Sequence, residues 1–285
     1  MPRMSRLPPL SAPAGLLPLP RPLMTGEVLD AAFRLFSAAL LRCLPYSGLA
    51  VLVLELPTLY STFQVPLGPS IYVNIAGVVL TDQHLVFLVA VLLVVVLIGV
   101  LTLRLHAVSR AKRPRFRVEI ATALGRWPNA IIATLGALGF PLLLFGLGPM
   151  FANVLPMEAL LVVAIPLLWP AALFAVALPA FWCDGLGPLA AVAQAVRVSR
   201  RGSWRMAGAI LATTCIILVF YVLTIIVIAM MSPLLGRADL FLIATVRSVL
   251  TLVIGALGVP FVLAVLVVAY EDLKLREQER RGAMP

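Results

Sequence analysis

The chain has 285 residues, of which 62% are hydrophobic and 12% are charged, and its formal net charge is +10. A soluble domain of this length needs far more charge to cover its surface, so the composition excludes a soluble globular protein. It indicates a membrane protein, and the position of the positive charge along the chain then predicts how that protein is oriented.

The chain begins with a proline-rich segment. Seven of the first 23 residues are proline, and they prevent the apolar helix that a signal peptide requires. We therefore interpret residues 1–23 as a disordered cytoplasmic arm.

Six apolar segments follow, each long enough to cross a hydrocarbon core of about 30 Å. In the clearest one, Leu85–Leu103, sixteen of nineteen residues are Leu, Val, Ile or Phe. The sequence predicts an all-α polytopic membrane domain over residues 24–270 and a short charged cytoplasmic tail over residues 271–285. The predicted spans are residues 36–58, 84–105, 129–154, 158–182, 206–231 and 241–269.

Lysine and arginine fall into alternate connections between these spans. Twenty of the 22 lie before span one or near its N-terminal end, in the 104–126 and 183–205 loops, or after span six, and the other two are Arg237 and Arg247. The positive-inside rule therefore predicts that both termini are cytoplasmic.

Each odd-numbered span is preceded by the pattern of a short amphipathic helix. Polar residues recur at i, i+3 and i+7, with apolar residues on the other side. We expect three interfacial helices at the cytoplasmic surface, each leading into a pair of spans. The polar stripes are Glu27, Asp30 and Arg34; Glu119, Thr122 and Arg126; and Gln194, Arg197 and Arg201. The apolar faces contain Val28, Ala32 and Leu35; Ile120 and Leu124; and Leu189, Val192 and Val196.

The sequence also allows a second kind of internal repeat, which competes with the three units above. The segments LGALGFP (135–141) and IGALGVP (254–260) occur in spans three and six, which run in opposite directions. An inverted 3+3 transporter would pair them in this way. Small residues at a helix crossing and a tolerated proline explain the same motif by packing alone.

The arginine-rich loops favour anionic lipid over nucleic acid as a partner. The segment VRVSRRGSWR lies within a turn or two of span five, where lipid headgroups are the nearest polyanion. Each cationic side chain there adds about 1 kcal/mol of attraction, and Trp127 and Trp204 fit interfacial anchors. The residues predicted to contact headgroups are Arg113, Arg115, Arg117, Arg197, Arg200, Arg201 and Arg205.

Two ionisable residues lie inside the predicted spans. Glu55 is near the outer end of span one and Arg247 is near the outer end of span six. Such residues are functional candidates because charge is expensive in the bilayer. A mutual ion pair, an interfacial position and a place in a solute path all remain open.

The sequence contains no motif typical of an enzyme. Asp82 and His84 form a lone D-x-H, and His106 is predicted on the other side of the membrane. The cysteines lack the spacing of a metal site, and HExxH, GxSxG and phosphate-loop patterns do not occur. We expect a protein without catalytic activity, metal or cofactor.

Three stretches resemble a bacterial family of six-span membrane proteins: RPLMTGEVLDAAFRLF (21–36), DGLGPLAAVAQAVRVSRRGSWRMAGAIL (184–211) and VPFVLAVLVVAYEDLKLREQ (259–278). That family includes the membrane domain attached to glycerophosphoryl diester phosphodiesterases. The resemblance implies a protein of the bacterial inner membrane whose Asp272 and Glu277 pair with Lys274, Arg276 or neighbouring basic loops. We do not expect the phosphodiesterase activity, because only a short segment follows span six.

The leading hypothesis is a non-enzymatic accessory or organising protein of the membrane that contacts anionic lipid. A small-solute or lipid transporter or channel is the first alternative, and a membrane subunit assisting a lipid-phosphodiester enzyme is the second. The sequence leaves open the ligand, the protein partner, the oligomeric state and the nature of residues 59–83.

Overall fold

A computed structural model describes most of the chain. The described residues are Leu17, Leu19, 21–63, 73–75, 78–80, 82–112, 115–134, 175–199, 202–235 and 240–282. They form an all-α fold with one short β-hairpin. In chain order the elements are α1 Thr25–Phe63, β1 Val73–Ile75, β2 Val78–Leu80, α2 Asp82–Ser109, α3 Phe116–Gly125, α4 Ala177–Cys183, α5 Pro188–Ser199, α6 Ser203–Leu235 and α7 Leu240–Gly282.

Four of the described helices are long and apolar enough to cross a membrane, which agrees with the predicted class. The qualifying segments are Thr25–Leu56, Val86–Ser109, Ala207–Met230 and Thr245–Gly282. They correspond to predicted spans one, two, five and six. Predicted spans three and four lie largely outside the described residues, so the structure supports four spanning helices rather than the full six.

Helix α1 contains both the first predicted interfacial helix and span one. Its buried face consists of Val28, Ala32, Leu35, Ala39 and Cys43, at the three- to four-residue spacing of one helical stripe. The predicted apolar face is therefore confirmed. The prediction of a separate interfacial helix is wrong. The buried apolar stripe continues from the first segment into span one, so a single helix contains both.

Helix α7 likewise joins span six to the predicted tail. It remains helical through Gly282, and Tyr270 and Leu273 are buried beyond the apolar span. At the other end of the chain, Leu17 is buried and its backbone N–H donates to the Ser109 carbonyl at 3.0 Å. This part of the predicted disordered arm therefore packs on the bundle, while most of residues 1–20 lie outside the described residues.

Helices α1 and α7 pack closely against each other. The Ser47 hydroxyl donates to the Ala256 carbonyl at 2.6 Å, and a Cβ at Gly255 would lie 2.7 Å from Val51. Phe36 packs edge-on against Phe261, with ring centroids 5.6 Å apart. The glycine of IGALGVP thus permits a close helix crossing, while its proposed repeat partner at 135–141 lies outside the described residues.

Helices α3 and α5 bury different side chains from those that the sequence predicts. In α3, Glu119 of the predicted polar stripe is buried because Arg104 of α2 offers it a partner, whereas Leu124 of the predicted apolar face is exposed. In α5, the small residues Ala191 and Ala195 pack inward, whereas Leu189 is 81% exposed.

The segment after span one contains both regular elements and undescribed residues. Helix α1 continues to Phe63, and β1 pairs antiparallel with β2 so that Asn74 lies opposite Val79. A hairpin therefore occupies part of the region for which the sequence left loop and interfacial positions open.

Candidate functional site

A layer of charged and polar groups crosses one end of the bundle, where α1 begins and α2 and α4 end. We call it the polar layer. It joins the chain before α1 to α2, to the turn after α4 and to α7. Its side chains are Arg110, Asp184, Tyr270, Glu271, Asp272, Lys274 and Arg276.

Asp184 connects α4 to α7. Its carboxylate accepts a hydrogen bond from the Tyr270 hydroxyl at 2.5 Å, and the Lys274 ammonium lies 2.9 Å from both carboxylate oxygens. The next residue, Gly185, has a φ of +71°, which a residue with a Cβ rarely adopts. Arg126 donates to the Gly185 carbonyl at 2.5 Å, so this turn is held from two sides.

Asp272 holds the segment that precedes α1. The Leu23 backbone N–H donates to Asp272 at 2.6 Å, and the Leu23 carbonyl accepts from Arg276 at 2.5 Å. Arg276 also pairs with Asp272 at 2.9 Å. The pairing of Asp272 with Arg276 follows the expectation from the family resemblance. Lys274 instead pairs with Asp184, and Glu277 pairs with Arg281 at 3.1 Å.

A buried ion pair ties α3 to α2. Arg104 and Glu119 are 2.8 Å apart, with side chains only 9% and 8% exposed. Arg104 also donates to the Arg42 carbonyl at 2.8 Å and lies 4.5 Å from the centroid of the Tyr46 ring. One carboxylate oxygen of Glu119 has no hydrogen-bond partner. The geometry gives Glu119 a structural role, because its paired oxygen neutralises an arginine that would otherwise be buried alone.

Four of the predicted headgroup-contact residues differ from the polar layer in making no side-chain contact of this kind with the described residues. Arg115, Arg117, Arg197 and Arg205 are exposed, and within the described part of the chain none of them makes a side-chain hydrogen bond or ion pair. Arg113, Arg200 and Arg201 lie outside the described residues.

These four arginines belong to a larger set of unpaired cations. The seven ion pairs of the described residues use Glu27, Asp30, Glu119, Asp184, Glu271, Asp272 and Glu277. The cations at the basic end that make neither an ion pair nor a side-chain hydrogen bond with the described residues form what we call the cationic fringe. Its members are Lys112, Arg115, Arg117, Arg197, Arg205 and Arg280.

Two exposed tryptophans accompany the cationic fringe. Trp204, at the start of α6, is 71% exposed, and Trp127, just after α3, is 44% exposed. An amphipathic ring beside a basic segment is typical of the boundary between water and hydrocarbon. The apolar residues Leu189 and Phe116 are exposed at the same end, so the surface combines free charge with unburied apolar area.

The predicted intramembrane candidates are not brought together. Glu55 is half-buried in α1, whereas Arg247 is exposed in α7, and no ion pair joins them among the described residues. The same part of the chain contains no group of three or more His, Cys, Asp or Glu side chains placed to bind a metal ion. The three cysteines are free thiols.

Sequence reasoning missed the Asp184–Lys274 and Arg104–Glu119 pairs. The first joins residues separated by 90 positions, and the second joins two helices across a basic loop. The quoted motifs contain Asp184 and Tyr270, but their pairing depends on where α4 ends relative to α7. Only the arrangement of the helices brings them into contact.

The fold and these contacts define a class: an α-helical membrane protein with an ion-paired layer and unpaired cations at one end. No protein-family model, curated protein or solved structure matches this chain.

Proposed function

We propose that this protein is a non-enzymatic membrane protein that acts as a bilayer-associated accessory or organising protein by contacting anionic lipid headgroups. The observation that supports this function most directly is the cationic fringe. Its side chains are exposed and have no protein partner among the described residues, while seven carboxylates of the described residues already pair with other cations.

The charge balance explains why lipid is the proposed partner. A carboxylate that already pairs with an arginine offers little attraction to a second cation, so the cationic fringe retains its positive field. Anionic headgroups are the nearest available counterions, and each juxtamembrane cation contributes about 1 kcal/mol to that attraction. The exposed rings of Trp127 and Trp204 fit the same interface.

The arrangement of the described helices supports a topology with the basic end in the cytoplasm. Leu17 bonds to Ser109 at the end of α2, and Leu23 bonds to Asp272 in the last third of α7. Gly202, just before α6, packs against Leu273. The start of α1, the end of α2, the start of α6 and the last turns of α7 therefore meet at one end. We propose six spans with both termini on the cytoplasmic side of a bacterial inner membrane.

The test removes charge from the cationic fringe without touching an ion pair. A triple variant, Arg115→Gln, Arg117→Gln and Arg197→Gln, is extracted in native lipid particles, and the lipids that remain bound are measured by mass spectrometry. We expect a loss of anionic-lipid enrichment relative to the unmodified protein. Arg247→Gln is the matched control, because it removes an exposed arginine from the other end of α7. Equal enrichment in the triple variant and the control would reject the proposed function.

The same preparation distinguishes the alternatives. A retained small solute, together with uptake into proteoliposomes that Glu55→Gln abolishes, would establish a transporter or channel. A soluble hydrolase that copurifies with the particles would establish a membrane subunit of a lipid-phosphodiester enzyme.

A further inference from the structure

Two cavities lie along one seam between α1, α6 and α7. The larger, which we call the apolar groove, has a volume of about 230 Å³, and its lining includes the exposed side chains of Phe33 and Phe220. The smaller, which we call the polar notch, has a volume of about 20 Å³ and includes Thr25, Arg205 and Asp272. The apolar groove is lined mainly by Phe33, Phe36, Ile217, Phe220, Gly258 and Phe261.

All three helices pass the two cavities in a consistent order. The polar notch is at Thr25 of α1, and Phe33 of the apolar groove follows two turns later. On α6 the distance from Arg205 to Ile217 is about 18 Å, and on α7 that from Asp272 to Phe261 is about 16 Å, at 1.5 Å per residue. When the polar notch is at headgroup level, the apolar groove therefore lies within the hydrocarbon layer.

The polar notch favours an anion. Arg205 is exposed and has no partner among the described residues, whereas Asp272 is neutralised by Arg276 at 2.9 Å. Helix α6 begins here with no acidic residue in its first turn, and a helix start carries partial positive charge and backbone N–H groups without helical acceptors. Arg205 also belongs to the cationic fringe, so the notch continues the surface proposed to contact lipid.

The apolar groove favours a flexible chain as its occupant. Every described residue that lines it is apolar, and water in such a site would lack the hydrogen-bond partners that it needs. A helix with its side chains is about 10–12 Å across, so a second transmembrane helix would contact the rim rather than fill a space of about 230 Å³. A single acyl chain is narrow enough to enter between the phenylalanine rings.

We propose that this seam binds one anionic phospholipid molecule, with its phosphate at Arg205 and one acyl chain in the apolar groove. The proposal rests on the proposed function for the class of lipid. It adds to that function a specific binding site. It requires both parts of the seam, because Arg205 alone is one cation of the fringe and the apolar groove alone does not select charge.

The first experiment measures binding to each part of the seam by native mass spectrometry of the full chain in detergent. The probes are dioleoyl phosphatidylglycerol and dioleoyl phosphatidylcholine, which share acyl chains and differ in charge. We expect one phosphatidylglycerol per chain at the lowest concentrations. Arg205→Gln should weaken that first binding step by about fivefold, as expected for one headgroup contact of about 1 kcal/mol. Arg247→Gln, which removes an exposed arginine outside both the seam and the cationic fringe, should not.

A pair of substitutions at one position tests the apolar groove. A Cβ at Gly258 would lie 3.7 Å from the nearest atom of Ile217, an ordinary contact, so Gly258→Ala should fold and bind as before. Gly258→Leu should project into the groove and abolish the first binding step. An unchanged first step in Gly258→Leu or in Arg205→Gln would overturn the proposal. A change in oligomeric mass without a change in lipid binding would also overturn it, by identifying a second copy as the occupant.

A labelling experiment on the unmodified protein removes any dependence on how the variants fold. A phosphatidylglycerol with a photoreactive acyl chain is activated in vesicles that contain the full chain, and the labelled peptides are mapped. We expect label concentrated at residues 216–220 and 254–261. Label spread evenly along the exposed face of α6 would overturn the site.

The two proposals fail in different ways. A loss of bulk anionic-lipid enrichment in the Arg115, Arg117 and Arg197 triple variant, with normal binding in Arg205→Gln and Gly258→Leu, supports the proposed function and rejects this site. The reverse pattern supports the site and rejects the wider role of the cationic fringe.

Discussion

The most apolar segments of helices α6 and α7 have the same mean hydropathy and very different surroundings. The best membrane-spanning window of each has a mean hydropathy of 2.8, but 50% of the α7 window is buried and only 11% of the α6 window is buried within the described part of the chain. Helix α7 packs on α1 and α6 and bonds to the segment before α1 and to the turn after α4. Hydropathy therefore shows that a segment is apolar enough to span the bilayer. It does not show whether that helix is central or peripheral in the bundle.

The largest expected difference between these helices comes from shortening a leucine in each. Leu263 of α7 is 5% exposed and Leu218 of α6 is 58% exposed. Leu263→Ala should destabilise the protein by about 2–5 kcal/mol, because it leaves a cavity in a packed region. Leu218→Ala should change stability by less than about 0.5 kcal/mol. Unfolding in detergent, followed by circular dichroism, measures both, and equal effects would show that α6 is packed as closely as α7.

Removing the carboxylate that anchors α7 should have the next largest effect. Asp184→Ala leaves the Tyr270 hydroxyl and the Lys274 ammonium without their shared acceptor, at a cost of about 2 kcal/mol. Asp30→Asn is the control, because its ion pair with Arg34 is exposed and should contribute about 0–1 kcal/mol. The same unfolding assay compares them. A loss no larger than that of Asp30→Asn would mean that the polar layer does not hold α7 in place.

Two glycines of α7 allow a finer comparison of its contacts with α1 and α6. A Cβ at Gly255 would lie 2.7 Å from Val51 of α1, whereas one at Gly258 meets nothing closer than 3.7 Å on α6. Gly255→Ala should therefore cost about 1–3 kcal/mol by overpacking. Gly258→Ala should be neutral or should stabilise by about 0.5–1 kcal/mol, since alanine favours the helix. Tolerance of alanine at both positions would contradict the closer packing of α7 on α1.

The membrane class and four spans follow from the sequence with errors of a few residues, except that α1 starts well before predicted span one and α7 continues well past predicted span six. Predicted span 206–231 corresponds to Ala207–Met230, and 84–105 corresponds to Val86–Ser109. Long apolar segments have few alternatives to a membrane helix, because each backbone polar group must be satisfied within the segment. Boundaries between helices are harder to predict. One uninterrupted stripe makes α1 a single helix where the sequence suggested two.

The residue patterns of α3 and α5 predicted which side chains are buried less well than hydropathy predicted the spans. Glu119 has the spacing of an exposed polar stripe, yet it is buried because Arg104 approaches from α2. Leu189 has the spacing of an apolar face and is exposed, because small alanines form the side of α5 that packs on the protein. Periodicity assigns residues to faces of a helix, but the neighbouring helices decide which face is covered.

The sequence by itself determined that this is a helical membrane protein and that its positive charge collects at one end, because hydrophobicity and charge order are properties of the chain. Only the tertiary structure decided which charges are neutralised. Asp184 meets Lys274, and Asp272 meets Arg276 and Leu23, whereas Arg205 meets no partner in the described part of the chain. An ion pair requires two side chains within about 4 Å, and that separation is set by the way the helices pack.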